Sequence, residues 1–426
     1  MNAIIQAIRS DRIARGALTL VSGTAAGRAV GLLTVPLLAR IYSPADYGLA
    51  AVVMAIIAVV LPFATLRYVV AVPLPRSDQV AAAVMQLCAL LIMGVCGLIG
   101  VALVAAALLG QDNLLGVPSH YYWAIPVGLA IAGTYELAML WGTRIKAYAR
   151  ISQSQVFQSI AGEGVKIGLG VLGFRPIGLV LGQIVAQGSG GLLILSRERG
   201  RILAAIRRAP PRRMLRVARL YIGFPAYRLP SHVLLQLSVQ APLLIVAHFY
   251  SSATAGSYAM AFMLIALPAG IIGQAVGSAY YGEIASIGRR DTGRLRALTA
   301  QTQKRLLVFA IPAGIAAGLL GGHLTVVLGE RWALAAQFFV MLVPMAVTQI
   351  LSAPVMQVLN VINRQEFYLR MNVFRCLLIA ALFGAVYWQE LDAPSFVFAY
   401  SMIMTGYYLL LCVAVPRLVA QQDPSP

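Results

Sequence analysis

The sequence predicts an all-α polytopic membrane protein of about twelve transmembrane helices, arranged as two six-helix lobes related by pseudo-two-fold symmetry. Three observations carry this expectation. The 426 residues are 60% hydrophobic and only 11% charged, with mean hydropathy +0.82. Soluble globular chains are about a quarter charged, and disordered ones lack apolar residues, so both classes are excluded. The apolar residues fall in long continuous runs, and a short motif recurs about half a chain apart.

A spanning helix needs about 20 mostly apolar residues. Runs of that size lie near 17–39, 47–70, 80–109, 121–142, 155–173 and 176–196, then 221–249, 254–280, 306–328, 333–356, 368–388 and 395–416. Strands of a membrane barrel would alternate in polarity over short segments, and these runs do not. The first run follows a basic stretch, as a signal peptide would. Arg28 interrupts its apolar core and no cleavage site follows, so it is read as a span. The fifth run is the most polar, because it carries Glu163 and Lys166.

Thirty-three Lys and Arg against 14 Asp and Glu give a net charge of +19 and a pI of 10.3. In a soluble chain that excess suggests nucleic acid; in a membrane chain it can report topology. Arg9, Arg12 and Arg15 precede the first run. Alternate connections then hold Arg67 and Arg76; Arg144, Lys146 and Arg150; nine arginines within 197–219; Arg289, Arg290, Arg294, Arg296, Lys304 and Arg305; Arg364, Arg370 and Arg375; and Arg417. Twenty-seven cations thus share one face, and only Arg40, Arg175 and Arg331 fall on the other. The positive-inside rule makes both termini cytoplasmic. The segment 197–219 is expected to rest on the anionic leaflet, which attracts such residues by about 1 kcal/mol each. It would link an N-terminal lobe (1–196, helices 1–6) to a C-terminal lobe (220–426, helices 7–12). No aromatic stacking platform accompanies it, so no nucleic-acid partner is expected. Cys88, Cys96, Cys376 and Cys412 lie in spans without a CxxC, and the four histidines are scattered, so no metal site is expected.

The connection after the first run reads Ile41-Tyr42-Ser43-Pro44-Ala45-Asp46-Tyr47-Gly48; that after the seventh reads Phe249-Tyr250-Ser251-Ser252-Ala253-Thr254-Ala255-Gly256. Both follow a Pro-Leu-Leu (Pro36, Pro242) and precede a further proline (Pro62, Pro268). Six spans separate the copies, so the halves have parallel topology, an arrangement found in transporters with a site between two lobes.

The same residues carry a family likeness. Ser22-Gly23-Thr24 through Pro36, Arg40, Tyr42, Pro44 and Gly48 resembles the opening of bacterial polysaccharide flippases. So does Leu66-Arg67-Tyr68 followed by Ala71, Pro75 and Asp78-Gln79-Val80-Ala81. Phe224-Pro225, Ala255-Gly256-Ser257-Tyr258-Ala259, Leu267-Pro268 and Gly277 extend the likeness through the second half. The family is the O-antigen or lipid-linked oligosaccharide flippase group of the multidrug/oligosaccharidyl-lipid/polysaccharide exporter superfamily. The resemblance implies a polyprenyl-pyrophosphate-linked glycan as substrate, moved to the outer leaflet of the bacterial inner membrane by alternating access. It also implies membrane lipids, and a polymerase and chain-length regulator of the same pathway, as partners. Relatives often carry an acid after the Arg-Tyr pair, where this chain has Val69.

Ionisable groups inside spans are costly and point to function. Arg28 and Arg228 lie in corresponding helices of the two halves, and arginine grips phosphate through a planar fork. Arg28 sits within Gly23-xxx-Gly27-xxx-Gly31, a spacing that permits close helix packing; Gly314, Gly318 and Gly322 repeat it. Glu163 and Lys166 are three apart on one helical face. They either neutralise each other or line a lumen with Glu136, where a protonatable carboxylate could couple transport to protons or sodium. Arg228, His232 and Gln236 recur every four residues beside Tyr227, giving the seventh helix one hydrophilic stripe, and Pro225, Pro230 and Pro242 interrupt its ladder. The competing classes are a membrane polysaccharide polymerase or ligase, which needs catalytic groups on a sizeable outer loop, and a drug or metabolite exporter with an acidic cavity. The longest outer connection is about residues 110–120, and no cofactor is expected.

Overall fold

The computed structural model describes residues 12–114, 116–207, 211–287, 292–362 and 365–420. Arg9, Arg208, Arg289, Arg290 and Arg364 therefore lie outside the described residues. The helices are α1 (Arg12–Ile41), α2 (Pro44–Ala64), α3 (Asp78–Leu108), α4 (Ala124–Arg144), α5 (Tyr148–Val171), α6 (Ile177–Gly188), α7 (Gly190–Arg207) and α8 (Pro211–Leu220). They continue as α9 (Leu229–Phe249), α10 (Ser252–Ile287), α11 (Thr292–Gly321), α12 (Leu324–Leu328), α13 (Ala333–Ile362), α14 (Gln365–Gln389) and α15 (Ala393–Ala420). The expected all-α fold is present. The connection at 110–120 is a minimal antiparallel hairpin, Asn113–Leu114 with Val117–Pro118.

Among the described residues, eleven segments are long and apolar enough to cross a membrane, one of them running through α6 and α7. α5 is long enough at 24 residues but too polar to qualify on composition. Its polarity is tolerable because α1 and α6 pack along it, so Glu163 and Lys166 are buried against protein and not lipid. α5 is the twelfth helix of spanning length.

The chain forms two compact units, 1–42 with 49–240, and 43–48 with 241–426. In the first, the glycines of α1 lie directly on α5. A Cβ at Gly23 would strike Ser152, one at Gly27 would sit 2.7 Å from Ser159 Oγ, and one at Gly31 would sit 3.8 Å from Glu163 Oε1. Thr24 Oγ1 donates to Gln155 Oε1 at 2.9 Å in the same seam. Small residues here let a polar helix approach closely enough for hydrogen bonds.

The second half of the basic segment is a docked helix. Val217 of α8 is buried in a cluster with Val84, Cys88 and Trp141, while Arg216 and Arg219 stay exposed. Tyr68 Oη donates to the Ala218 carbonyl at 3.0 Å, and Arg213 donates to Gln79 Oε1 at 2.7 Å. Burial, reinforced by the Cys88 thiol, holds the Tyr68 phenol above its ordinary pKa, so it remains a donor.

In the second unit the repeat motif explains itself. A Cβ at Gly48 would land on the Ser252 carbonyl, and one at Gly256 would land on the Pro44 carbonyl. Ser252 Oγ donates to the Ala45 carbonyl at 2.9 Å across the same crossing. The contact is reciprocal, as expected of equivalent positions in a repeat. The Tyr47 ring meets Trp332 edge-on at 5.2 Å. The second glycine stripe needs correction: Gly314 packs on Val347 and Gly321 on Val340, but Gly318 and Gly322 meet nothing within 4 Å. The packing face of α11 repeats every seven residues, not every four.

Candidate functional site

Polar groups inside the first unit gather in two places. α2 ends at Ala64, and the chain then turns through Leu66 (φ 46°) and Arg67 (φ 60°), both left-handed without being glycine. Such residues cost about 1–3 kcal/mol each and persist where surrounding contacts demand them. Here the turn carries the guanidinium to α4, where Arg67 Nη1 meets Glu136 Oε1 at 2.8 Å. The two side chains are 14% and 18% exposed. Arg67 lies in a connection between spans, as expected, and its side chain forms this half-buried pair.

The pair is not saturated. Arg67 Nε and Glu136 Oε2 are buried without a hydrogen-bond partner, and so is Nδ1 of His232 on α9, which lies within electrostatic reach of Arg67. Buried polar atoms are nearly always partnered, so open atoms on both Arg67 and Glu136 single this pair out as the candidate site. The guanidinium offers a donor, the carboxylate an acceptor, and the imidazole either, according to its tautomer.

The second cluster is closed. Lys166 Nζ donates to Glu163 Oε1 at 2.7 Å, and Thr34 Oγ1 donates to Glu163 Oε2 at 2.8 Å. Tyr42 Oη donates to the Lys166 carbonyl at 2.7 Å. Glu163 and Lys166 are each 8% exposed. Glu136 and Glu163 thus lie in separate pairs, and Glu163 and Lys166 follow the reading in which they neutralise each other.

The other expected residues are dispersed. Arg28 is half-buried on α1 and forms no ion pair among the described residues. Arg228 is exposed at the end of a π-helical turn, Phe224–Arg228, with its guanidinium 5.9 Å from the Phe224 ring centre. The turn lies where Pro225 and Pro230 interrupt the ladder, and a wide turn of this kind often marks function. Tyr227 is 78% exposed, and its carbonyl accepts from Ser231 Oγ at 3.0 Å. Gln236 is half-buried, one turn beyond His232.

Arg375 is the second correction. It was counted with a cytoplasmic connection although it falls inside the expected run 368–388, and α14, starting at Gln365, carries it into the span Leu369–Gln389. There it lies beside Tyr400, Tyr407 and Tyr408 of α15.

Long apolar helices with strained turns and partly filled polar clusters inside them define a polytopic membrane protein. A family model described as "Polysaccharide biosynthesis protein" matches residues 37–337, and the chain belongs to that family. A search of curated proteins gave no match. Among solved structures, "Lipid II flippase MurJ, inward closed conformation" aligns with TM-score 0.69 at 12% identity, covering 96% of this chain and 94% of that one. "Crystal structure of MATE in complex with MaL6" aligns with TM-score 0.59 at 14% identity, covering 96% and 97%. An inward-facing multidrug resistance MATE family transporter of the MOP superfamily aligns with TM-score 0.55 at 13% identity, covering 95% of each chain. At such identities the likeness is one of fold.

Proposed function

We propose that the chain moves a polyprenyl-pyrophosphate-linked oligosaccharide from the inner to the outer leaflet of a bacterial cytoplasmic membrane by alternating access, for O-antigen, capsule or exopolysaccharide synthesis. The observation that carries this reading is the open Arg67–Glu136–His232 cluster inside the helices of a polysaccharide-biosynthesis protein. A diphosphate cannot enter hydrocarbon alone; an unfilled guanidinium N–H complements it at least cost. Arg28 and Arg228 would add positive charge along the route. Lys166 is held by Glu163 and would position helices and not bind. When an anion draws Arg67 away, Glu136 loses its counter-ion, and a proton is the smallest replacement. Transport would then couple to protons through Glu136.

An enzyme of the same pathway is the weaker reading. Asp46 is engaged by the Ser43 backbone N–H and hydroxyl, both at 2.8 Å, and the 110–120 connection is a two-residue hairpin. Neither offers a catalytic platform. Deleting the gene tests the choice: lipid-linked oligosaccharide should accumulate on the cytoplasmic leaflet. Glycan that still reached the outer face with only its chain length altered would establish a polymerase instead.

A further inference from the structure

A cleft on the cation-rich face of the first unit holds charge that nothing above uses. Its volume is about 320 Å³. Pro75, Arg76 and Asp78 line it from the chain entering α3, and Arg144, Ile145 and Lys146 from the end of α4. Small-ligand sites run from about 300 to 1,000 Å³. Three cations against one carboxylate leave this one with two net positive charges.

The carboxylate is already neutralised inside the wall. Arg144, whose side chain is 9% exposed, donates to Asp78 Oδ1 from Nη2 at 2.9 Å and from Nε at 3.3 Å. It also donates from Nη1 to the Pro75 carbonyl, and from Nη2 to the Arg76 carbonyl at 3.4 Å. Arg144 thus fixes the backbone that carries Arg76. Arg76 and Lys146 are exposed and enter no ion pair among the described residues.

Lys146 stands where a glycine would fit better. α4 closes in a Schellman turn: the Lys146 N–H donates to the Thr143 carbonyl at 3.0 Å, and the Ala147 N–H to the Gly142 carbonyl at 2.8 Å. Lys146 itself has φ 56°, the left-handed position that glycine usually fills because a Cβ is strained there. A lysine kept at such a position points to a use for its side chain.

Two spans end at the cleft: Asp78–Leu108 begins there and Ser119–Arg144 finishes there. Leu74, between Pro73 and Pro75 of the lining, is 58% exposed. A site at that depth, with an exposed leucine alongside, meets lipid headgroups before it meets solutes. A cleft lined by one sign of charge focuses its field on ions of the other sign, and the anion that headgroups carry is phosphate. We propose that Arg76 and Lys146 bind a phosphate group, with the headgroup of an anionic lipid in that leaflet as its source. The site shares no residue with the Arg67 cluster and does not depend on the flippase reading.

The test uses the full chain in uncharged detergent micelles. A ligand bound only by the folded state raises Tm and does so saturably. Thermal unfolding is followed while short-chain phosphatidylglycerol is added. A diacylglycerol with the same chains, and inorganic phosphate at constant ionic strength, are the further arms. Phosphatidylglycerol should raise Tm to a plateau and the diacylglycerol should not. Arg76→Gln should move the midpoint upward by about tenfold, the loss of one hydrogen bond to a charged group. Lys146→Gly should move it as far while leaving the lipid-free Tm equal or higher, because glycine suits the left-handed turn. Arg216→Gln with Arg219→Gln, which removes two exposed charges from α8, should leave the midpoint in place. Equal Tm in the two lipids overturns the proposal. So does a midpoint that Arg76→Gln and Lys146→Gly leave unchanged, or one that the α8 double variant moves as far. Stabilisation by inorganic phosphate with none by phosphatidylglycerol would overturn the lipid source.

Discussion

Two ion pairs within the first unit treat charge in opposite ways. Lys166 meets Glu163 at 2.7 Å in a closed network, whereas Arg67 meets Glu136 at 2.8 Å with atoms on both groups left open. Pairing makes an ion tolerable inside a membrane bundle, and the degree of pairing separates structure from function. Glu163 is saturated by Lys166 and Thr34 and behaves as a bolt between α1 and α5. Glu136 keeps one oxygen open and Arg67 one N–H.

Breaking the closed pair should cost most. Glu163→Ala leaves Lys166 buried and alone, and should destabilise the chain by about 3–5 kcal/mol; thermal unfolding of purified protein measures it. The double variant Glu163→Gln with Lys166→Met should recover most of that loss. The half-open pair should cost less: Glu136→Ala removes one charge-assisted hydrogen bond, about 2 kcal/mol, but should abolish any proton dependence of transport. Transport and ion dependence both intact in Glu136→Gln would exclude the coupling role.

The reciprocal crossing gives the next effect. Gly48→Ala and Gly256→Ala each push a methyl onto a backbone carbonyl, and both should lose about 2 kcal/mol by overpacking. Gly318→Ala, with nothing within 4 Å, should be neutral in the same assay. Equal behaviour of Gly48 and Gly318 would remove the structural reason for the repeat. The smallest effect belongs to Tyr68→Phe, which gives up the bond to Ala218 and about 1 kcal/mol. Loss of α8 docking should show there as faster proteolysis within 197–219.

Much of this was legible in the sequence. Runs of spanning length gave the helices, and the four-residue glycine stripe of α1 gave its packing face, because both follow from helical period alone. The recurrence of Tyr-Ser and Gly at an offset of 208 residues marked Gly48 and Gly256, which the fold brings together. Arg67 was not among the expected site residues because it was counted with a connection; the left-handed turn at Leu66 and Arg67 directs it back to Glu136. Arg375 was counted with the connection of Arg364 and Arg370 although the apolar run 368–388 already contains it; α14, which begins at Gln365, carries it into the span. A signal was present there: Tyr400, Tyr407 and Tyr408 recur at helical spacing on the facing helix. The pairing of Glu163 with Lys166 was one of the two readings that their three-residue spacing allowed; the pairing of Glu136 with Arg67 depends on tertiary placement and could not be read from spacing.

The central claim is that the open Arg67 cluster passes a lipid-linked pyrophosphate across the membrane. Reconstituting the chain in vesicles loaded with a pyrophosphate-linked oligosaccharide, and measuring its exposure to an impermeant probe, tests this most directly. Wild-type protein should transfer the lipid well above the protein-free rate, and Arg67→Gln should return it to that rate with the fold intact. Transfer by the wild type no faster than in empty vesicles, or unchanged in Arg67→Gln, would contradict the account.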